Sequence, residues 1–351
     1  MERLVRSCYR QGGYVFAKKA GSGAHGPGID RIARLASNEN PEAPSPAAVA
    51  AAQAAILSAN RYPDERVDVL VTALRAYYSD YTFVTGVGMD GVIETLIRTL
   101  VEPGETVAIS APTFSYYGLA AQAQGAKVVT VPRRADFSVD TDALVQAGKD
   151  AKIVVLCTPN NPTGNATSVE DVRLVLDEIK GLLFLDNAYV EFSEIDYLPL
   201  MKKYDNLVIG RTFSKVHSLA GLRIGYAFVP AWLQPFYLRA GTPFTVNSVS
   251  AAAAAAALSD RDHAARYIAQ VRVWRKRFAS ELKFPVLPSD ANFVMVDVAP
   301  HTGDEIVEKL AAKGVLVRSC RSFTGLADHY IRVSVGEDWE NELFIRELNG
   351  L

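Results

Sequence analysis

Apolar residues in this chain gather in short, non-alternating runs at Thr106–Ser110, Lys127–Val131, Lys152–Cys157, Leu182–Leu185, Asn206–Ile209 and Arg223–Val229. A strand with one wet face alternates apolar and polar residues, so unbroken runs predict strands buried on both faces. Helical stretches fall between several of them, including Val169–Ile179 and the run after Phe114, while Val92–Leu100 precedes the first. Strands separated by helices predict an α/β fold with a largely parallel sheet covered on both sides. Ser45 followed by Pro46 and the stretch to Ala59 reads as a capped helix, with serine as N-cap and proline in the first turn. The alanine run Ala251–Leu258 predicts a tightly packed helix rather than a membrane segment.

The pattern changes toward the C-terminus. A long helix (about Arg261 to Leu282) leads to a strand at Phe293–Asp297 and a helix at Asp304–Lys313. Strands at Val315–Arg318 and Tyr330–Val335 follow, then a last helix from Asp338. This tail reads as a smaller α+β domain. The Gly/Pro-rich stretch Gly21–Gly28 and the prolines Pro41, Pro44 and Pro46 read as an arm leading into the first domain. The expected division is an arm over 1–44 that joins the small domain, a large domain over 45–240 and a small domain over 241–351. A ligand site is expected between the two domains, near the carboxyl ends of the large sheet's strands.

Composition narrows the classes without naming a chemistry. The chain has 351 residues with 37 Lys plus Arg against 39 Asp plus Glu, a formal charge of −2. That balance disfavours a broad nucleic-acid surface. Three cysteines, Cys8, Cys157 and Cys320, make neither a disulfide framework nor a CxxC metal site, so no metal is expected. The basic N-terminal stretch lacks the apolar centre of a secretory signal, and a cytoplasmic enzyme is the expectation.

Gly86, Gly88 and Gly91 form a GxGxxG between a strand-like run and a helix. A dinucleotide site also needs an acid at the end of the next strand, and Ala108-Ile109-Ser110-Ala111-Pro112 offers none. The glycine turn keeps its general property, free backbone N–H groups at a helix start that suit a phosphate. Further along, Ser214-Lys215 follows the strand that ends near Gly210, with Thr212 before it and Arg223 after it. Hydroxyls and a guanidinium around one amine suit a phosphate, and a lysine near other cations loses its proton more easily and becomes a nucleophile. Asp186 ends the run Leu182–Leu185, where an acid caps a helix, pairs with a base or holds a cofactor's ring nitrogen. Asn160-Asn161-Pro162-Thr163-Gly164 and Tyr189 complete the set, each also readable as an ordinary turn and a packing tyrosine.

The order NPTG, strand-Asp-x-x-Tyr, Ser-Lys, Gly-x-Arg-x-Gly resembles the fold-type I, aspartate-aminotransferase-like family of pyridoxal-phosphate enzymes. The resemblance spans about Leu35 to Gly336. It implies a mixed, mostly parallel sheet sandwiched by helices, with a smaller α+β domain, and pyridoxal 5'-phosphate as cofactor. It implies Lys215 as the lysine that bonds the cofactor and moves the substrate proton. Asp186 is implied as the ring-nitrogen partner, with Asn161 and Tyr189 at the ring oxygen. Gly88, Met89, Asp90, Thr212, Ser214 and Arg223 are implied around the phosphate, and Phe114 stacked on the ring.

Within that family the chain is similar to histidinol-phosphate aminotransferases through Leu35-Ala36-Ser37-Asn38-Glu39-Asn40-Pro41, Asn60-Arg61-Tyr62-Pro63-Asp64, Gly314–Arg318 and Ile331–Gly336. This implies a homodimer in which Tyr62 reaches the neighbouring subunit's cofactor phosphate. It implies substrate contacts from Asn38, Arg318 and Arg332, with small anionic amino and keto acids as partners, and neither nucleic acid nor membrane. Aromatic amino acid transamination and threonine-phosphate decarboxylation are the alternative activities. A non-catalytic regulator is the competing class, but the chain shows no basic helix-turn-helix pattern. Asn187 stands where the family usually has Glu, and His217 is expected to be a packed histidine.

Overall fold

The computed structural model describes residues 2–10, 13–16 and 31–351, so the Gly21–Gly28 stretch lies outside the described residues. The first strand, β1 (Ala33–Arg34), leads to α1 (Pro46–Ile56) and α2 (Asp68–Tyr78). Ser45 caps α1 as the sequence predicts, its hydroxyl accepting from the Ala48 N–H, although the helix ends before Ala59. Next come β2 (Thr82–Val87), α3 (Gly88–Leu100), β3 (Thr106–Ala111), α4 (Tyr116–Gln124) and β4 (Lys127–Pro132). Then follow α5 (Thr141–Gly148), β5 (Ala151–Cys157), α6 (Val169–Glu178), β6 (Leu182–Asp186), β7 (Leu207–Thr212) and β8 (Ile224–Val229). The rest of the chain forms α7 (Gln234–Ala240), α8 (Ser248–Ser259), α9 (Arg261–Glu281), β9 (Phe293–Asp297) and α10 (Gly303–Ala311). It ends with β10 (Val315–Leu316), β11 (Arg318–Ser319), β12 (Tyr330–Ser334) and α11 (Asp338–Asn349).

Seven strands form the main sheet in the order β2-β8-β7-β6-β5-β3-β4. Only β8 runs antiparallel to its neighbours, so the sheet is mixed and mostly parallel. The unbroken apolar runs mean what the pattern predicted for the central strands. Val154, Leu156, Leu183, Leu185, Leu207 and Ile209 enter one apolar cluster, while Ile153, Val155, Leu182, Phe184 and Val208 enter another. Successive side chains of one strand thus serve opposite faces, both covered by helices. The run at Lys127–Val131 is the exception, because β4 is the edge of the sheet and most of it, Val129 included, is exposed.

A third apolar cluster joins Ala33 and Leu35 to Phe293, Val296, Ile331 and Phe344. Here β1 pairs with β10 in parallel, and β11, β12 and β9 form an antiparallel sheet. The single strand expected at Val315–Arg318 is two, since each part pairs with a different sheet. Helix α8 packs on α1, and its alanines lie in a cluster under the main sheet. The small side chains of Ala251, Ala253, Ala254 and Ala257 let those helices approach closely. By this packing we propose to draw the domain break after α8 rather than at residue 240.

Candidate active site

The strands of the main sheet end side by side: Cys157 of β5 is the register partner of Asp186, and Asp186 that of Gly210. Above these ends lies a cavity of about 390 Å³, roofed by residues 36–39 and by Arg318 and Arg332 of the small antiparallel sheet. Its lining brings together Asn38, Met89, Asp90, Phe114, Asn161, Asp186, Tyr189, Thr212, Ser214, Lys215, Arg223, Arg318 and Arg332. Most of the residues singled out from the sequence therefore meet in one place, at the sheet position where α/β proteins bind ligands. Gly88 lies beneath Arg223 rather than on the wall. Tyr62 lies away from the cavity: it is 83% exposed and stacks on Phe244, with ring centroids 4.9 Å apart.

Asp186 is 3% exposed and is held by two donors. The Tyr117 hydroxyl donates to Oδ2 at 2.6 Å and the Ala188 N–H to Oδ1 at 2.9 Å. Burial pushes its carboxyl up to about 6, against the pull of these hydrogen bonds. Asn187, one residue on, is fully buried and its Nδ2 donates to the Thr158 carbonyl at 2.8 Å. That contact needs a donor, which an amide supplies and an ionised glutamate does not. The departure from the family pattern thus fits its surroundings.

Lys215 follows β7, and its Nζ lies 3.4 Å from the Ser37 carbonyl and 5.6 Å from the centre of the Tyr189 ring. Burial, then Arg332, lower its pKa to about 8, with Arg223 adding to the effect and Glu39 opposing it. Tyr189 accepts from Asn38 Nδ2 at 3.1 Å, which leaves its own proton to donate. Asn38 holds its place through a backbone N–H to the Ser334 hydroxyl at 2.8 Å.

The start of α3 makes an anion cradle. Its first-turn N–H groups have no partner within the helix, and Arg223 reaches across with Nη2 2.8 Å from Asp90 Oδ2. The backbone favours glycine at 88, and a side chain there would displace Arg223 from the cradle. The φ of Gly88 is +68°, and a Cβ there would lie 2.5 Å from the Arg223 guanidinium. Thr212 and Ser214 add paired hydroxyls, Oγ to Oγ at 3.0 Å. A phosphate finds N–H donors, hydroxyls and a cation on one side of the cavity, a buried acid on its floor and an amine between them. The residues present therefore fit pyridoxal phosphate.

Arg318 and Arg332 face each other as register partners across β11 and β12, and are 8% and 6% exposed. Arg318 donates to the Val15 carbonyl at 2.6 Å and to the Ser322 hydroxyl at 2.9 Å. Arg332 donates to Asn161 Oδ1 and to the Ala36 carbonyl, while its Nε is buried without a partner. Among the described residues neither arginine pairs with a carboxylate. Two like charges side by side, mostly out of water, favour an anion between them.

Several lining residues escaped sequence reading. Tyr117 carried a faint signal, three residues after Phe114 on a segment opened by Pro112. Cys157, Tyr14, Phe16 and Phe323 also line the cavity and carried none. His217 packs on Phe213 at 5.1 Å, and burial lowers its pKa to about 4, so it is a neutral ring outside the cavity wall.

A mixed sheet with a nucleophilic lysine, an acid and an anion cradle at its strand ends defines a lysine-dependent group transferase. Residues 30–348 match the family aminotransferase class I and II. The chain belongs to that family and is a pyridoxal-phosphate-dependent aminotransferase. It is 64% identical to the histidinol-phosphate aminotransferase of Methanoculleus marisnigri, covering 100% of both chains. It is 56% identical to that of Methanosphaerula palustris, covering 99% of each. Its structure is also similar to that of histidinol-phosphate aminotransferase from Sinorhizobium meliloti in complex with pyridoxal 5'-phosphate, with a TM-score of 0.82 and 29% identity, covering 91% of this chain and 90% of that one.

Proposed function

We propose that the chain moves an amino group between L-glutamate and imidazole-acetol phosphate, giving 2-oxoglutarate and L-histidinol phosphate, as a cytoplasmic homodimer. The observation that carries the substrate class is the pair Arg318 and Arg332, two buried guanidiniums at the same cavity that pair with no carboxylate among the described residues. Both amino compounds are anions, one through a carboxylate and the other through a phosphate. Planar guanidiniums bind either oxygen array in pairs and can serve both substrates in turn. The relatives named histidinol-phosphate aminotransferase support the same choice.

Pyridoxal phosphate, when bound, supplies an electron sink for the pair left at the substrate's Cα. Its phosphate would be held by the N–H groups of Met89 and Asp90, the hydroxyls of Thr212 and Ser214, and Arg223. Phe114 would cover the ring face. Asn161 and Tyr189 would donate to the ring oxygen, and Asp186 would keep the ring nitrogen protonated. Asn38 holds the Tyr189 hydroxyl in place while Lys215, as a neutral amine, takes the proton from Cα and returns it at the other end of the transfer.

Substrate choice is tested by kcat/KM for L-histidinol phosphate and L-phenylalanine, each with 2-oxoglutarate. We expect the phosphate substrate to lead by about a hundredfold or more, since a site built for charged hydrogen bonds rejects a ligand that lacks them. Equal values would instead make the chain an aromatic aminotransferase, and carbon dioxide released from threonine phosphate would make it a decarboxylase.

The dimer rests on Tyr62, an exposed aromatic that does not reach its own cavity. Mixing Tyr62→Ala subunits with Lys215→Ala subunits tests it at limiting cofactor. Hybrids regain one intact site, so activity should return toward about a quarter of wild type, the share random pairing gives in a two-fold dimer. No recovery, with exchange verified, removes Tyr62 from the neighbouring site.

A further inference from the structure

Tyr117 has no role in the chemistry as described so far, yet it touches two of its parts. It sits in the first turn of α4, fully buried, three residues after Phe114, which precedes the helix. Its ring meets Phe114 edge-on at 5.5 Å, and its hydroxyl donates to Asp186 Oδ2 at 2.6 Å. The other carboxylate oxygen takes the Ala188 N–H from the opposite side of the strand end. Two donors on different oxygens fix the plane of the carboxylate, and each oxygen keeps a lone pair for a third partner.

We propose that Tyr117 is a positioning residue that locks Asp186 in the orientation and charge state that receives the cofactor's ring nitrogen, while its ring sets the tilt of Phe114. This rests on the reading of Asp186 given above. The local electrostatics need such a donor. Apart from Tyr117, the titratable groups facing Asp186 are Asp90 of α3, Cys157 of β5, Lys215 after β7 and Tyr189 after β6. Burial and Asp90 favour its neutral form, while Lys215 and the two hydrogen bonds favour the carboxylate, with the Tyr117 bond the largest of these. Burial raises Tyr117 itself far above the usual phenol range, so it remains a donor at any working pH.

The test is the pH dependence of pyridoxal phosphate binding to the cofactor-free protein, followed by fluorescence titration. Affinity should fall as pH drops through the titration of Asp186, and Tyr117→Phe should move that midpoint up by about one pH unit, the scale of losing one hydrogen bond to a charged group. Replacing Tyr117 with 3,5-difluorotyrosine makes a stronger donor of nearly the same size and should move the midpoint down. A purely structural tyrosine would give no such shift of opposite sign. If the phenylalanine variant does not fold, the fluorinated one decides alone. Midpoints equal to wild type, with Asp186→Ala inactive, overturn the role of Tyr117 and leave the site reading intact. Full turnover in Asp186→Ala would remove that reading, and this inference with it.

Discussion

Lys215→Ala is expected to lower amino transfer by about 10⁴-fold or more, because removing a positioned proton carrier alone costs about 10²–10⁴ and the covalent step is lost as well. The visible absorbance of the lysine-bound cofactor should disappear, while the phosphate cradle still retains some pyridoxal phosphate. A variant that keeps both absorbance and turnover would sink the assignment. The environment of Lys215 makes a second, graded expectation. Its pKa is lowered to about 8, chiefly by burial and then by Arg332. The neutral amine attacks, and it is the minor form below that pKa. Cofactor uptake by the cofactor-free protein should therefore speed up about tenfold from pH 7 to pH 9 and then level off. Arg332→Ala removes a repelling cation, which raises the lysine pKa and moves the levelling to higher pH. Stopped-flow absorbance at a series of pH values reads both effects.

The fold was legible where chemistry is local. Uninterrupted apolar runs gave the central strands, because such a run has no wet face to offer, and Ser45-Pro46 gave a helix start because capping involves a few adjacent residues. The run at Lys127–Val131 reads like the central strands yet forms the sheet edge. Strand order depends on how helices pack across the sheet, and a lysine followed by four residues of Val and Thr does not encode it. The same reason explains the split at Val315–Ser319, where one stretch of chain leaves one sheet for another. The alanine helix α8 declares close packing by composition, but its partner α1 lies about two hundred residues away in sequence.

The site divides in the same way. Asp186 ends a strand and Lys215 follows one by three residues, and the hydrophobic runs locate those strand ends to within one to three residues. Tyr117 reaches Asp186 from α4, across strands whose order β3-β5-β6 is a fact of topology. Tyr14 and Phe16 line the cavity from an N-terminal segment with no regular structure. The arginine pair sits between these cases. Each arginine is visible in its motif, but their facing register, and the repulsion that calls for an anion, appears only when β11 and β12 are aligned.

Asp186→Ala separates holding the cofactor from using it. The phosphate cradle, Lys215 and the Tyr189 hydroxyl remain, so pyridoxal phosphate should still bind and show the absorbance of its lysine-bound form. Turnover should fall by about a hundred- to a thousandfold or more, the scale of removing a preorganised charge from a water-excluded site. The loss should appear in kcat rather than KM, since Asp186 lies on the cavity floor while Arg318 and Arg332, which hold the substrate anions in this reading, lie on its roof. Removing the carboxylate also leaves the Tyr117 hydroxyl without its acceptor in a buried place, a cost to stability of about 1–3 kcal/mol. Asp186→Asn carries no charge and keeps one acceptor: with its Oδ1 taking the Ala188 N–H, its Nδ2 faces the Tyr117 hydroxyl and donates to that oxygen instead of accepting from it. This variant should regain part of that stability in thermal melts and remain as slow as the alanine variant in single-turnover amino transfer. Recovery of rate by asparagine would show that shape at this position, and not the negative charge, is what the reaction uses.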